Sequence, residues 1–438
     1  MKKQFIFILC GLFLCAGTIA ATDYNVLQQG AVGDGKTLNT KSLQSAIDAL
    51  HAKGGGQLYF PAGRYLTGSL QLKSNVTLYL EKEAVLLGST SPYDYPGFST
   101  EKELKVNNDH FDQALIYAEG AENIGITGEG CIDGQGRELA LTIDSLHHTG
   151  ELVDKHYNTY RKRPNTRPKL LFMRNCRKVE LRKTNFRSGA AWGLSFSLCT
   201  DLTIDSLHVE NRAYWNNDGI DISDCKDVRI SNCFINSADD GICLKSHNRG
   251  AWNDRVSISN CHIISSASAI KFGTESLGGF KNVTIDNIRI KDTFRSAIAI
   301  ESVDGAEIEN VKLENIEIVC PGRATRGMAY MSVSRLKDVP ENEKGYPEFT
   351  MFEELPSWGF YVRHVKGIQM HNVKLRLQED DFRPAFVFDR VSDVRLSDIS
   401  LPENKKAGQV VLRQISLQSA DNGHYKIFCV NGKYGIQV

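Results

Sequence analysis

The chain has 438 residues, 41% of them hydrophobic and 24% charged, with 52 basic side chains against 52 acidic ones. Such a composition excludes a disordered or membrane-embedded chain, and without a basic excess it gives no case for a nucleic-acid partner.

The first residues, MKKQFIFILCGLFLCAGTIAAT, carry two lysines, an apolar run and small residues around Ala20 and Ala21. This pattern predicts a secretory signal peptide over residues 1–21 and a secreted or periplasmic protein. The run is too short for a membrane span. Cys10 and Cys15 each follow a leucine, which does not suit a lipoprotein. Without Lys2, Lys3, Cys10 and Cys15 the balance is 50 basic to 52 acidic, and nine cysteines remain. An odd number in a long chain implies no disulfide framework, and Cys176, Cys199 and Cys225 recur at similar places, as buried stacked thiols would.

The segment TLNTKSLQSAIDALHAKGG predicts one amphipathic helix, with Thr40 as N-cap and Gly54 as stop, covering the open first coil of a strand-rich repeat. From GGQLYFPAGRYLTGS onward, short apolar/polar alternations dominate. Taking Val179, Leu202, Val228, Val256, Val283 and Ile308 as anchors gives steps of 23 to 28 residues, the period of a solenoid. With short strands and little helical periodicity, the reading is an all-β parallel β-helix forming a single domain over residues 22–438. Residues 137–168 and 334–357 break the repeat and are predicted to be lateral insertions.

A second column sets the register. GLSFS, GIDIS, GICLK, AIKFG, AIAIE, GMAYM, GFYVR and AFVFD each begin with Gly or Ala, followed by inward apolar residues at alternate positions. Asp221, Cys243, Lys245, Lys271, Ala299 and Glu301 then point outward. Trp192, Asp218, Asp240, Ser268, Ser296, Arg326, Trp358 and Pro384 stand just before the small residues. Asp218 and Asp240 therefore occupy equivalent places on neighbouring coils, with Asp239 and Asp221 beside them. Three or four carboxylates are predicted to converge on one exposed patch, where crowding splits their pKa values into acid and base roles. Glycoside hydrolysis needs that division of labour. A calcium site is the reading between solvated turns and catalysis, but no metal or cofactor is expected.

The sequence resembles glycoside hydrolase family 28, the polygalacturonases, over nearly the whole chain beyond the predicted signal peptide. The likeness runs from GAVGDGKTLNTKSLQSAID through FPAGRYLTGSLQLKSNVTLYLE and ITGEGCIDGQG to WNNDGIDI and ADDGICLKS. The resemblance implies a right-handed, pectin-lyase-like β-helix and an inverting hydrolase. It assigns catalysis to Asp218, Asp239 and Asp240, with Asp240 the general acid and the other two acting on water. It implies an acidic plant polysaccharide or oligosaccharide as substrate, and a monomer is expected.

Two family motifs are altered. Where the family has Gly-His-Gly the chain reads SSASAIKFGTES, with Ser268 in the histidine's place, and Ala299 and Glu301 stand where an Arg-x-Lys pair grips the substrate carboxylate. The expected substrate contacts are therefore Asn217, Asp221, Lys245, Lys271, Trp215 and Glu275. Lys271 is a replacement cation or a structural ion pair, and Lys245 has acidic neighbours. Arg326, Arg363 and His364 lie further along the same face. Trp192 and Trp358 are candidate cleft walls, and His247 is read as an exposed loop residue or as a substitute for the missing histidine. The altered clamp and the insertions favour exo action. The competing readings are a polysaccharide lyase on uronate polymers and a non-catalytic carbohydrate-binding β-helix.

Overall fold

The computed structural model describes residues 22–95, 113–151, 167–329, 336, 339, 354–403, 410–417, 426–430 and 433–437. The predicted signal peptide and most of the segment 334–357 lie outside these residues.

From Thr22–Asn25 to Val410–Leu417 each strand pairs in parallel with its equivalent one coil later, which makes a right-handed parallel β-helix with three strand faces, and Lys426–Val430 and Lys433–Gln437 form a separate antiparallel pair. On the first face Leu194, Ile220, Ile242, Ile270, Ile298, Phe360 and Phe386 stack in register. The second stacks Val179, Leu202, Val228, Val256, Val283 and Val311. The third stacks Phe186, Val209, Ile235, Ile263, Ile290 and Ile318. These columns fill one continuous core. The corners between strands need left-handed backbone, which asparagine and aspartate tolerate best. Asn232, Asn260 and Asn287 adopt φ of 56°, 54° and 52°. Each passes an amide hydrogen bond to the previous one, 3.3 Å to Asn232 and 2.8 Å to Asn260. Cys176, Cys199 and Cys225 are buried at successive turns, all as free thiols, and the Cys199 amide donates to Cys225 Sγ at 3.3 Å.

Helix α1 spans Thr40–Ala52 and buries Leu43, Ala46, Ile47 and Leu50 against the first coils. Thr40 is its first residue, not its cap. Asn39 precedes it, with its side-chain amide turned to Val32 and Thr37. Gly54, at φ +96°, ends the segment as predicted. The first insertion contains a second helix, α2, at Gly136–His148. Among the described residues no helix is long and apolar enough to cross a membrane.

Three expectations change. GMAYM is not a rung, because Ile298–Ile300 pairs directly with Phe360–Leu377. The second excursion therefore runs from the end of Ile308–Cys320 to Trp358, and Arg326 leaves the column. The anchor at Ile308 belongs three residues on, at Val311, while Ile308 stacks on Phe280. Trp358 is fully buried in the core and walls no cleft.

Candidate active site

The site begins with a turn that cannot relax. The buried Asn217 side chain donates to the carbonyls of Gly189 (2.9 Å) and Ala191 (2.6 Å) and accepts the Tyr214 amide. Arg167, also buried, donates to the Ala190 and Trp215 carbonyls at 2.6 Å and to Asn216 at 3.0 Å. Tyr214 is further held by a hydroxyl bond to Asp144 on α2. Asn217, a candidate substrate contact in the sequence, is thus spent on backbone. Its work is to fix Asp218.

Glycines let the coils approach. A Cβ on Gly219 would lie 2.4 Å from the Gly241 carbonyl oxygen, and one on Gly241 would lie 2.5 Å from that of Ala269. With those gaps closed, the Gly219 amide donates to the Asp240 carbonyl (2.9 Å) and the Gly241 amide to the Ser268 carbonyl (2.8 Å). Asp218, Asp240 and Ser268 therefore stack as the column predicts, and the Ser268 amide donates to Asp240 Oδ1 at 3.2 Å. The patch is not exposed, however. Asp218, Asp221, Asp240, Lys245 and Lys271 are all buried, and only Asp239 is half-buried.

Charge is compensated by two lysines. Lys245 Nζ lies 2.7 Å from Asp221 and 3.4 Å from Asp218. Lys271 Nζ lies 3.2 Å from Asp240. Burial pushes the Asp218 carboxyl well above the usual range, reinforced by Asp221 and only partly offset by Lys245. Burial raises Asp239 too, helped by the neighbouring Asp240 charge. Burial alone would raise Asp240 as well, but Lys271, Lys245 and Arg295 outweigh it and hold this carboxyl below the usual range. Lys245 keeps its proton, because Asp221 and its other anionic neighbours overcome the cost of burial. The set can thus present a carboxylate base and a carboxylic acid side by side. Asp240, the acid suggested by resemblance, sits in the environment that suits a base.

Around this core, Trp192 covers Lys245 with its ring centroid 4.4 Å from Nζ. Trp215 stands 62% exposed beside the turn. His247 is not an exposed loop residue. Its side chain is 7% exposed, with Nδ1 3.0 Å from Glu275 and Nε2 3.2 Å from Ser223 Oγ. Burial of Glu275 is outweighed by His247, and its carboxyl lies below its usual value. Arg363 is buried on Asp389 (3.0 Å), and His364 meets Arg390 (3.0 Å), so neither faces the carboxylates. Sequence patterning did not single out Arg295. It stands one residue ahead of Ser296, half-buried, and its charge acts on Asp239 and Asp240. Only its place next to the column hinted at it.

The outward column continues past the site. Asp221, Cys243, Lys271, Ala299, Tyr361 and Val387 follow one another in register. Over Ala299, Tyr361 and Val387 pack Leu336, Val339 and Leu355 from the second excursion. The column is polar at the aspartates and, two coils later, is covered by apolar side chains.

Comparison with known proteins agrees with the parallel β-helix fold. The family model "Glycosyl hydrolases family 28" matches residues 56–320. A probable polygalacturonase of Vitis vinifera is 30% identical over 69% of this chain and 60% of its own length. An exo-poly-α-D-galacturonosidase of Dickeya chrysanthemi is 28% identical over 50% of this chain and 41% of its own length. The chain thus spans about three fifths or less of these curated relatives. The solved structure of a family 28 exopolygalacturonase from Yersinia enterocolitica superposes with a TM-score of 0.67 at 20% identity, covering 92% of this chain and 79% of that one.

Proposed function

The chain belongs to glycosyl hydrolases family 28, and we propose that it hydrolyses galacturonate-bearing pectic chains or oligosaccharides from one end, with inversion. The observation that carries the reading is the buried pairing of unlike carboxyls. Asp240 is held ionised by Lys271, while the adjacent Asp239 is driven toward its protonated form.

The roles follow from the charges. Asp239, the carboxyl nearest solvent, gives its proton to the departing glycosidic oxygen. Asp240 takes a proton from the attacking water, and Asp218, sharing Lys245 with Asp221, orients that water. This reverses the acid assignment implied by resemblance. Trp215, Lys271 and Glu275 line the sugar-binding side, Arg295 adds a cation near the carboxylates, and Lys245 balances Asp218 and Asp221. The apolar roof over Ala299 and Tyr361 favours exo action, in keeping with the Dickeya relative's name. Lysine chemistry does not favour a lyase, since Lys245 holds its proton against two carboxylates. The leader at residues 1–21 supports secretion or a periplasmic location, and the enzyme is expected to act as a monomer. Amino-terminal sequencing of exported protein and its elution on gel filtration test these two points.

Substituting each aspartate separately tests the roles. Asp239→Asn and Asp240→Asn should each lower turnover of galacturonate oligomers by roughly 10²–10⁴-fold. A substrate with an acidic aryl leaving group needs no proton donor, so it should restore turnover to Asp239→Asn alone. Restoration of Asp240→Asn instead would return the acid role to that residue.

A further inference from the structure

Glu301 lies on the outward side of the groove, directly after Ile298–Ile300, and it is completely buried. Among the described residues neither of its carboxyl oxygens has a hydrogen-bond partner. Beside it, Ala299 pairs in register with Lys271, the lysine that holds Asp240. A Cβ on Gly273 would come within 3.9 Å of Glu301 Cγ, so the missing side chain there leaves the carboxyl against the lysine's strand. A buried carboxylate with no donor is costly, and such a group avoids the cost by keeping its proton.

We infer that Glu301 is a positioning residue: protonated, it leaves Lys271 on Asp240 and lets the groove accept an acidic sugar; ionised, it draws Lys271 away and repels that sugar. The charged and titratable groups facing it are Lys271 and Asp240 on the preceding coils, Arg295 ahead of its own strand, and Tyr361 and Arg363 on the following coil, Arg363 being paired with Asp389. Burial is the main cause that brings its carboxyl up to about 7, against the opposing pull of Lys271. Its proton is therefore lost close to neutrality. The part of this inference that concerns an acidic sugar rests on the proposed function, whereas the proton on Glu301 does not.

The test uses the full chain and Glu301→Gln, an uncharged isostere, with Glu301→Met as a second uncharged variant. A raised carboxyl binds more protons in the folded state than in the unfolded one between its ordinary value and about 7. The melting temperature of the wild type should therefore fall relative to the variant as pH rises across that window, then run parallel above it. Parallel curves throughout would overturn the proton-holding role, and this arm needs no substrate. In the kinetic arm, the wild-type KM for galacturonate oligomers should rise roughly tenfold between about pH 6 and pH 8, from one added negative charge near the binding groove. Glu301→Gln should hold a flat KM across the same range. An equal rise in both proteins, or none in either, would overturn the gating role. If no oligomer is cleaved at any pH, the hydrolase reading fails, and the melting curves still decide whether Glu301 carries the proton.

Discussion

Two adjacent aspartates on one coil differ in electrostatic balance: cations outweigh burial at Asp240, whereas burial and the Asp240 charge prevail at Asp239. Asp240 has Lys271 at 3.2 Å and a backbone donor at Ser268, while Asp239 has the Asp240 charge as its neighbour. Lys271→Met should accordingly raise the Asp240 carboxyl and move the acidic limb of kcat/KM to higher pH by one to two units, roughly the effect of an opposite charge at this range. An unmoved acidic limb in that pH profile would detach Lys271 from the reaction. For single residues the sequence was informative about identity and poor about environment. The NNDG and DDG turns marked the three aspartates, and alternation put Asp221 and Lys271 on the same side. Burial could not be read, since an outward position in a solenoid becomes an interior one when a loop covers it. Asn217 shows the same limit: it reads as a polar residue beside the site, and its contacts to Gly189 and Ala191 come from 28 and 26 residues away.

The stacked strand is the element that turns sequence period into geometry. Small residues at 193, 219, 241, 269, 297, 359 and 385 mark where coils press together, and the close carbonyl contact at Gly241 explains the demand. Gly241→Ala should destabilise the fold by about 1–3 kcal/mol and pull Asp240 off its line, an overpacking effect read by chemical denaturation. A change in stability under half of that range, with full turnover, would mean that the contact relaxes freely. The register was legible because inward residues repeat at a strict period of two. It slipped where the pattern is ambiguous: Ile308 and Val311 are three apart and both find a partner, in Phe280 and Val283. GMAYM mimics a rung in composition, but the pairing of Ile298–Ile300 with Phe360–Leu377 shuts it out.

Across the molecule, one column changes character from Asp221 and Lys271 to Ala299, Tyr361 and Val387, and among the described residues Leu336, Val339 and Leu355 of the second excursion pack on the apolar part. Leu355→Asp would bury an unpaired charge under that roof and lift it. Mid-chain cleavage products should then appear beside terminal ones in the digestion profile of a long galacturonan, and a profile limited to terminal products would separate the roof from the cleavage mode. The period of the solenoid made its architecture legible, whereas the roof was not: its partners lie far apart in sequence and its residues follow no repeat. The proposed reaction is hydrolysis of an acidic glycoside, with inversion, at the paired unlike carboxyls. Time-resolved NMR of a defined galacturonate oligomer with the wild-type chain decides it. The expected product is a terminal sugar whose anomeric configuration is initially opposite to that of the bond cleaved. An initially retained anomer, an unsaturated sugar, or an uncleaved oligomer would contradict that reaction.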